Sequence, residues 1–153
     1  MILTSHVLAG AAAGKAVGNP WAAVLLGILL HYILDAIPHV DAGLLAKNKK
    51  LKYAIASIDV IISFALLLYA FNFKQQFNNG AILFGGIGAI IPDALDNLPY
   101  FSDRLHKISF FNKIYLFHEK IQYFSKKERV NIPLGITTQI IIILMSIYIL
   151  FWR

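Results

Sequence analysis

The sequence predicts an all-α integral membrane protein whose 153 residues form a single membrane domain. Hydrophobic residues make up 58% of the chain, whereas soluble domains contain ~45–50%. Charged residues contribute only 14%, where ~25% is usual. A soluble domain of this size cannot bury that much apolar surface, so the composition argues against an ordinary soluble fold.

Hydropathy divides the chain into about five transmembrane helices. The segment 132–152 is the clearest, because its length matches the ~20 apolar residues that cross a hydrocarbon core. The segment 54–73 is also apolar but carries Asp59 near its start, and Pro92 interrupts the segment 80–97. The first segment is rich in alanine and glycine, which favours close packing against a neighbour. The predicted helices lie near residues 2–17, 19–37, 54–73, 80–97 and 132–152.

A different pattern occupies residues 103–126. Lysine and arginine alternate there with aromatic and aliphatic residues that recur at roughly helical intervals. This combination is typical of an amphipathic helix that lies in the plane of the membrane surface. We therefore expect one interfacial helix in addition to the transmembrane set.

The basic residues predict the orientation of the helices. The formal net charge is +6, and eleven of the fourteen lysines and arginines fall between residues 42 and 52 or between 99 and 130. With five spans these two loops lie on the same side, which the positive-inside rule assigns to the cytoplasm. The N-terminus is then also cytoplasmic. Because the basic residues report topology and contact with anionic lipid, no nucleic-acid partner is expected.

Polar residues gather at the same cytoplasmic face and suggest a metal site. The chain has no cysteine, so a divalent metal would be held by histidines and carboxylates, which favours zinc, with manganese, iron or magnesium as alternatives. Asp35 and His39 are spaced i, i+4, and Asp93 and Asp96 are spaced i, i+3, at the inner ends of predicted helices. Ionisable groups at such depth are costly and usually functional. The predicted metal ligands are His6, Asp35, His39, Asp93, Asp96 and His118.

Two further carboxylates are candidate general bases. Asp59 lies within an apolar helix, where an unpaired carboxylate costs several kcal/mol, so it is a ligand, a base or a structural hydrogen-bonding group. Glu119 follows His118, and both could equally be solvated surface residues. His31 lies one turn before Asp35 and is expected to orient it rather than to bind metal. His106 is expected to be a surface residue.

The chain also contains a faint internal repeat. Residues 27–39 align without gaps on residues 88–100, so that Asp35 matches Asp96. The same alignment pairs Gly27 with Gly88, and Pro38 with Pro99. Two helical hairpins related by a pseudo-twofold axis would bring these helix ends together.

Four stretches, in order, resemble a known family: "TSHVLAGAAAG", "HYILDAIPHVD", "GAIIPDALDN" and "FHEKIQ". They are similar to the predicted membrane-bound metal-dependent hydrolases, a LexA-binding, inner-membrane-associated family distantly related to zinc-dependent phospholipase C. The likeness covers most of residues 4–122, although many members carry an HR-x-x-T-H-S signature that this chain lacks. The resemblance implies metal ligation by His6, Asp35, His39, Asp93 and His118, with Asp59 and Asp96 as further candidates.

Taken together, these observations predict a membrane-embedded metal-dependent hydrolase. Its substrate would be a phosphoester of a phospholipid or another lipid-linked phosphate, because the site lies at the headgroup plane. Two alternatives remain open. One is a divalent-cation or proton transporter, and the other is a non-enzymatic scaffold that binds lipid through its basic amphipathic helix. The oligomeric state is not predicted.

Overall fold

The computed structural model describes residues 1–73, 79–98, 100–127 and 131–153, with side chains described as far as residue 122 in the third of these ranges. Helices account for 85% of the chain and no strand occurs among the described residues, so the all-α prediction is confirmed. The helices in these ranges are α1 (Leu3–Val17), α2 (Pro20–Ala36), α3 (Ala42–Leu45), α4 (Lys49–Asn72), α5 (Asn79–Asn97), α6 (Phe101–Leu105), α7 (Ser109–Lys127) and α8 (Ile132–Phe151).

Local capping explains where the observed helices differ from the predicted segments. α4 begins at Lys49 rather than near residue 54, because the Asn48 side chain accepts a hydrogen bond from the Leu51 amide. The short helix α3 was not predicted, and Asp41 caps it in the same way. The segment predicted as one interfacial helix over 103–126 contains two helices, α6 and α7, joined by a turn.

The prediction that Pro92 interrupts its helix is wrong, since α5 continues from Asn79 to Asn97. Proline cannot donate to the carbonyl four residues earlier, so packing must hold this stretch in place. Gly88 lies directly against the backbone of Val24 in α2. The Ala89 carbonyl accepts a hydrogen bond from His31, also in α2. α2 therefore packs closely against α5 within about one turn of Pro92.

The bundle is centred on α1, which packs against α2, α4, α5 and α8. Glycines bring three of these helices into backbone contact. A Cβ at Gly85 of α5 would collide with the Gly10 carbonyl of α1, and a Cβ at Gly27 of α2 would collide with the Gly85 carbonyl. Gly27 and Gly88, which the internal repeat pairs, both lie at the α2–α5 contact. Pro99, the partner of Pro38 in that repeat, lies outside the described residues.

Two helices, α4 and α8, are long and apolar enough to cross a membrane by length and composition. The apolar windows of these helices are only 17% and 22% buried, whereas the core helix of a soluble protein is mostly buried. α2 is apolar but shorter, with 17 residues. At 1.5 Å per residue, the 15 residues of α1 extend about 22 Å, less than the ~30 Å hydrocarbon core. The predicted count of five spans is therefore not confirmed.

Candidate metal centre

The candidate site is built around Asp35, whose side chain is 1% exposed near the end of α2. Oδ1 of Asp35 lies 3.1 Å from His6 Nε2 and 3.8 Å from His39 Nε2. Oδ2 lies 3.4 Å from His31 Nε2 and 3.0 Å from His118 Nε2. Four imidazoles from three parts of the chain thus direct the same ring nitrogen toward one carboxylate.

Hydrogen bonds fix the tautomers of the two imidazoles nearest Oδ2. His31 Nδ1 donates to the Ala89 carbonyl at 2.8 Å, because a carbonyl can only accept. His118 Nδ1 donates to the Asp96 carboxylate. In each neutral ring the remaining Nε2 then carries a lone pair directed at Asp35. An imidazole oriented through Nδ1 by a carbonyl or carboxylate is the usual arrangement of a metal-ligating histidine.

The resulting cluster of lone pairs favours a cation. His31 Nε2 and His118 Nε2 lie 3.2 Å apart, and neutral rings have no hydrogen to place between these atoms. With Asp35 Oδ2 they form a triangle with edges of 3.0, 3.2 and 3.4 Å. Zinc ligands at ~2.0–2.1 Å from a tetrahedral ion are separated by about 3.3 Å, so the edges match this geometry. A proton on one ring nitrogen and the Gln122 amide can each serve part of this triangle, whereas a metal ion can bind all three atoms at once.

A second group of potential ligands shares His31 with the first. It contains His6, His31 and Asp93, each with one ligand atom within 4.8 Å of the others. His6 stacks on His31 with ring centroids 4.1 Å apart, and its Nδ1 is buried without a hydrogen-bond partner among the described residues. Because His31 Nδ1 donates its hydrogen to the Ala89 carbonyl, only the lone pair on Nε2 is left to bind an ion. That lone pair can bind one ion at a time. The two groups therefore compete for His31.

Both buried His/Asp groups can hold a metal ion. The group formed by His31, Asp35 and His118 supplies two imidazoles and one carboxylate. These three ligands leave one position of a tetrahedral ion open. Catalytic zinc sites have this composition, and so do non-haem iron(II) sites. Asp93 Oδ1, 3.8 Å from His31 Nε2, is the nearest further carboxylate oxygen to that ring nitrogen among the described contacts.

The surroundings of the site shift the pKa values of His118 and His39 in opposite directions. Burial by itself would lower the pKa of His118, but hydrogen bonds with Asp35 and Asp96 outweigh it and raise the pKa above its ordinary 6.5. At His39 burial dominates and lowers the pKa. His39 Nδ1 also donates to the Ile37 carbonyl at 2.8 Å, which turns Nε2 toward Asp35.

The structure brings all six predicted metal ligands into one network of contacts. Asp96 contacts His118 and not the Asp35 carboxylate. This is the position of a residue that orients a metal ligand. His31, predicted only to orient Asp35, instead belongs to both groups of potential ligands. The predicted residues within the cluster are His6, Asp35, His39, Asp93, Asp96 and His118.

Asp59 and Glu119 do not join this cluster. The Asp59 carboxylate accepts hydrogen bonds from the backbone amides of Leu3 and Thr4 and from the Thr4 hydroxyl. These amides begin α1, so Asp59 caps that helix from α4 and complements its dipole. Glu119 is exposed on α7. A general-base role for either residue stays a prediction, and the contacts of Asp59 favour the structural alternative.

Asp59→Ala is expected to destabilise the protein without removing metal. Loss of a helix cap costs ~0.5–2 kcal/mol in the free energy of unfolding. Asp59→Asn should be milder, because asparagine caps helices about as well as aspartate. Thermal denaturation, metal content and turnover of both variants provide the measurement. An Asn variant that keeps its metal and stability but loses all turnover would instead support the general-base role.

Sequence reasoning missed Gln122 and underestimated His106. The Gln122 amide nitrogen lies 3.2 Å from Asp35 Oδ2 and 3.1 Å from His118 Nε2. Its i, i+4 spacing from His118 was the available signal, because that spacing places both side chains on one face of α7. His106, expected at the surface, is half-buried, and its Nε2 lies 3.5 Å from Asp96 Oδ1.

Comparisons with known proteins identify no relative: no family model, no curated protein and no solved structure matches the chain. The resemblance to membrane-bound metal-dependent hydrolases stays a prediction from the four motifs. The functional argument therefore depends on the geometry of the site.

Proposed function

We propose that the protein is a membrane-embedded metal-dependent hydrolase, with zinc as the preferred ion. Its substrate is a phosphoester of a phospholipid or another lipid-linked phosphate. The reaction takes place at the cytoplasmic interface of a prokaryotic inner membrane. The observation that carries the proposal is the triangle of Asp35 Oδ2, His31 Nε2 and His118 Nε2. A divalent ion bound there would lower the pKa of a coordinated water and polarise a phosphoryl oxygen.

The chain supplies the remaining functions around that ion. Ala89 and Asp96 orient the two ligating imidazoles through Nδ1. Asp93 and the buried Nδ1 of His6 lie beside the ligand triangle and could hold a water molecule or a second group of the substrate. The near-complete burial of Asp35 limits competition from bulk water.

The exposed surface supports the membrane assignment. α4 and α8 present most of their apolar residues outward, and α2 exposes Trp21, Leu25, Leu29 and Ile33 at intervals of one turn. A soluble monomer rarely exposes contiguous apolar patches of this kind. With these helices in lipid, a substrate for the site at the end of α2 would be amphiphilic, with its ester near the headgroup plane.

Metal analysis and lipid turnover test the proposal together. Protein purified without added metal should contain near-stoichiometric zinc, and a chelator should remove both zinc and activity. Hydrolysis is measured as phosphate or phosphorylated headgroup released from vesicles of phosphatidylglycerol or phosphatidic acid. Iron in place of zinc would change the metal assignment. Proteoliposomes that take up divalent cations or protons without lipid turnover would favour the transporter, and metal-free protein that still binds vesicles would favour the scaffold.

A further inference from the structure

A groove between α2 and α7 opens beside the candidate metal centre. Its volume is about 440 Å³, within the ~300–1,000 Å³ of small-molecule sites. Five of its six lining side chains are aliphatic or aromatic, and the sixth is a lysine. The lining residues are Ile28, Tyr32, Phe110, Lys113, Ile114 and Phe117.

Tyr32 forms a wall that the groove shares with the metal centre. Its ring packs edge-on against His118, with centroids 5.3 Å apart, and against His31 at 5.8 Å. The Tyr32 ring also contacts Phe117, with centroids 5.6 Å apart. A molecule in the groove would therefore lie one aromatic ring away from both imidazoles of the ligand triangle.

We infer that this groove holds one acyl chain of an anionic phospholipid whose phosphate lies at the metal centre. The inference rests on the proposed function, which requires an amphiphilic substrate at the end of α2. An apolar groove next to a cluster of polar ligands complements the two parts of such a molecule. Lys113 is exposed in an otherwise apolar lining, where its ammonium group would attract the negative headgroup.

A second groove offers an internal reference. It has a volume of about 390 Å³, is lined by residues of α8 and the adjacent C-terminal Arg153, and contains neither Tyr32 nor any residue of the metal centre. Since it also combines apolar residues with one cation, lipid attraction in general would label both grooves. A specific chain-binding site would label only the first.

Photo-crosslinking of the full chain in vesicles tests the inference without requiring activity. The probes are phosphatidylglycerol and phosphatidylcholine with a photoreactive group near the acyl terminus, and peptide mapping locates the labelled residues. Ile114→Trp, which fills the groove, should abolish label there and leave the α8 groove unchanged, while Leu144→Trp should do the converse.

Lys113→Gln should reduce the preference for the anionic probe about fivefold, which corresponds to ~1 kcal/mol for one lysine at a membrane surface. Equal labelling of both grooves, insensitive to Ile114→Trp, would overturn the inference.

Turnover separates this inference from the proposed function. Ile114→Trp should raise KM for long-chain phosphatidylglycerol but leave a water-soluble short-chain analogue with the same headgroup unchanged. Specific labelling of the groove without any metal-dependent turnover would retain the groove and reject the hydrolase. Turnover without groove labelling would retain the hydrolase and reject the groove.

Discussion

Asp35→Asn is expected to remove the metal ion and abolish hydrolysis while the helices stay folded. Its carboxylate contacts all four imidazoles of the cluster, and the nitrogen of an amide is a poor ligand. Changes to groups that only orient metal ligands cost ~10–100-fold in affinity, so loss of a central ligand should cost more than about 100-fold. Elemental analysis after purification, turnover and circular dichroism measure the three parts of this expectation.

Asp41→Asn is the matched control. Asp41 lies close to the site in sequence, but its side chain caps α3 through the Leu44 amide. Asparagine caps as well as aspartate, so this variant should keep its metal, turnover and stability. Full metal occupancy in Asp35→Asn would contradict the assignment of Asp35 as a ligand, whatever the activity.

Gly85→Ala is expected to cause a large loss of stability. The added Cβ would collide with the Gly10 carbonyl and lie 3.1 Å from Gly14 Cα, and both neighbours are backbone atoms that cannot rotate away. Overpacking of a close helix contact typically costs ~1–3 kcal/mol. Separation of α1 from α5 would also displace His6 from the cluster, so metal affinity should fall together with the midpoint of thermal denaturation in detergent.

Gly80→Ala is the control on the same helix. The nearest heavy atom to its added Cβ is Pro20 Cγ at 3.7 Å, an ordinary contact. Since alanine favours helix by up to ~1 kcal/mol over glycine, this variant should be neutral or slightly more stable. If Gly85→Ala behaved like Gly80→Ala, the close α1–α5 packing would be wrong.

Several features of the site followed from spacing alone. Pro38 disfavours helix at Ile37, and α2 ends at Ala36 with Asp35 in its last turn. The aspartates that the internal repeat pairs, Asp35 and Asp96, contact the two different nitrogens of His118. Local sequence thus located the helix ends that carry polar groups, because capping, proline geometry and hydropathy act over a few residues.

Other features depended on contacts that no local pattern contains. Asp59 lies within an apolar helix whether it binds metal or caps α1, and only the position of Leu3 and Thr4 distinguishes these roles. The sequence predicted only that His31 supports Asp35. The Ala89 carbonyl that fixes the tautomer of His31 is 58 residues away in the chain, so no local pattern shows this contact. The continuity of α5 through Pro92 is likewise absent from the local pattern, since proline ordinarily kinks or breaks a helix.

The sequence by itself determined that the protein is all-α, that it is strongly apolar, and that Asp35 and Asp96 lie near helix ends, in a chain whose candidate ligands are histidines and aspartates. Only the tertiary structure decided which of these side chains meet and which ring nitrogen each histidine presents to Asp35. The reason is physical: composition and periodicity report the solvation of each segment. The geometry of a metal site depends instead on distances of about 3 Å between atoms from separate helices, which the glycine contacts of α1, α2 and α5 establish.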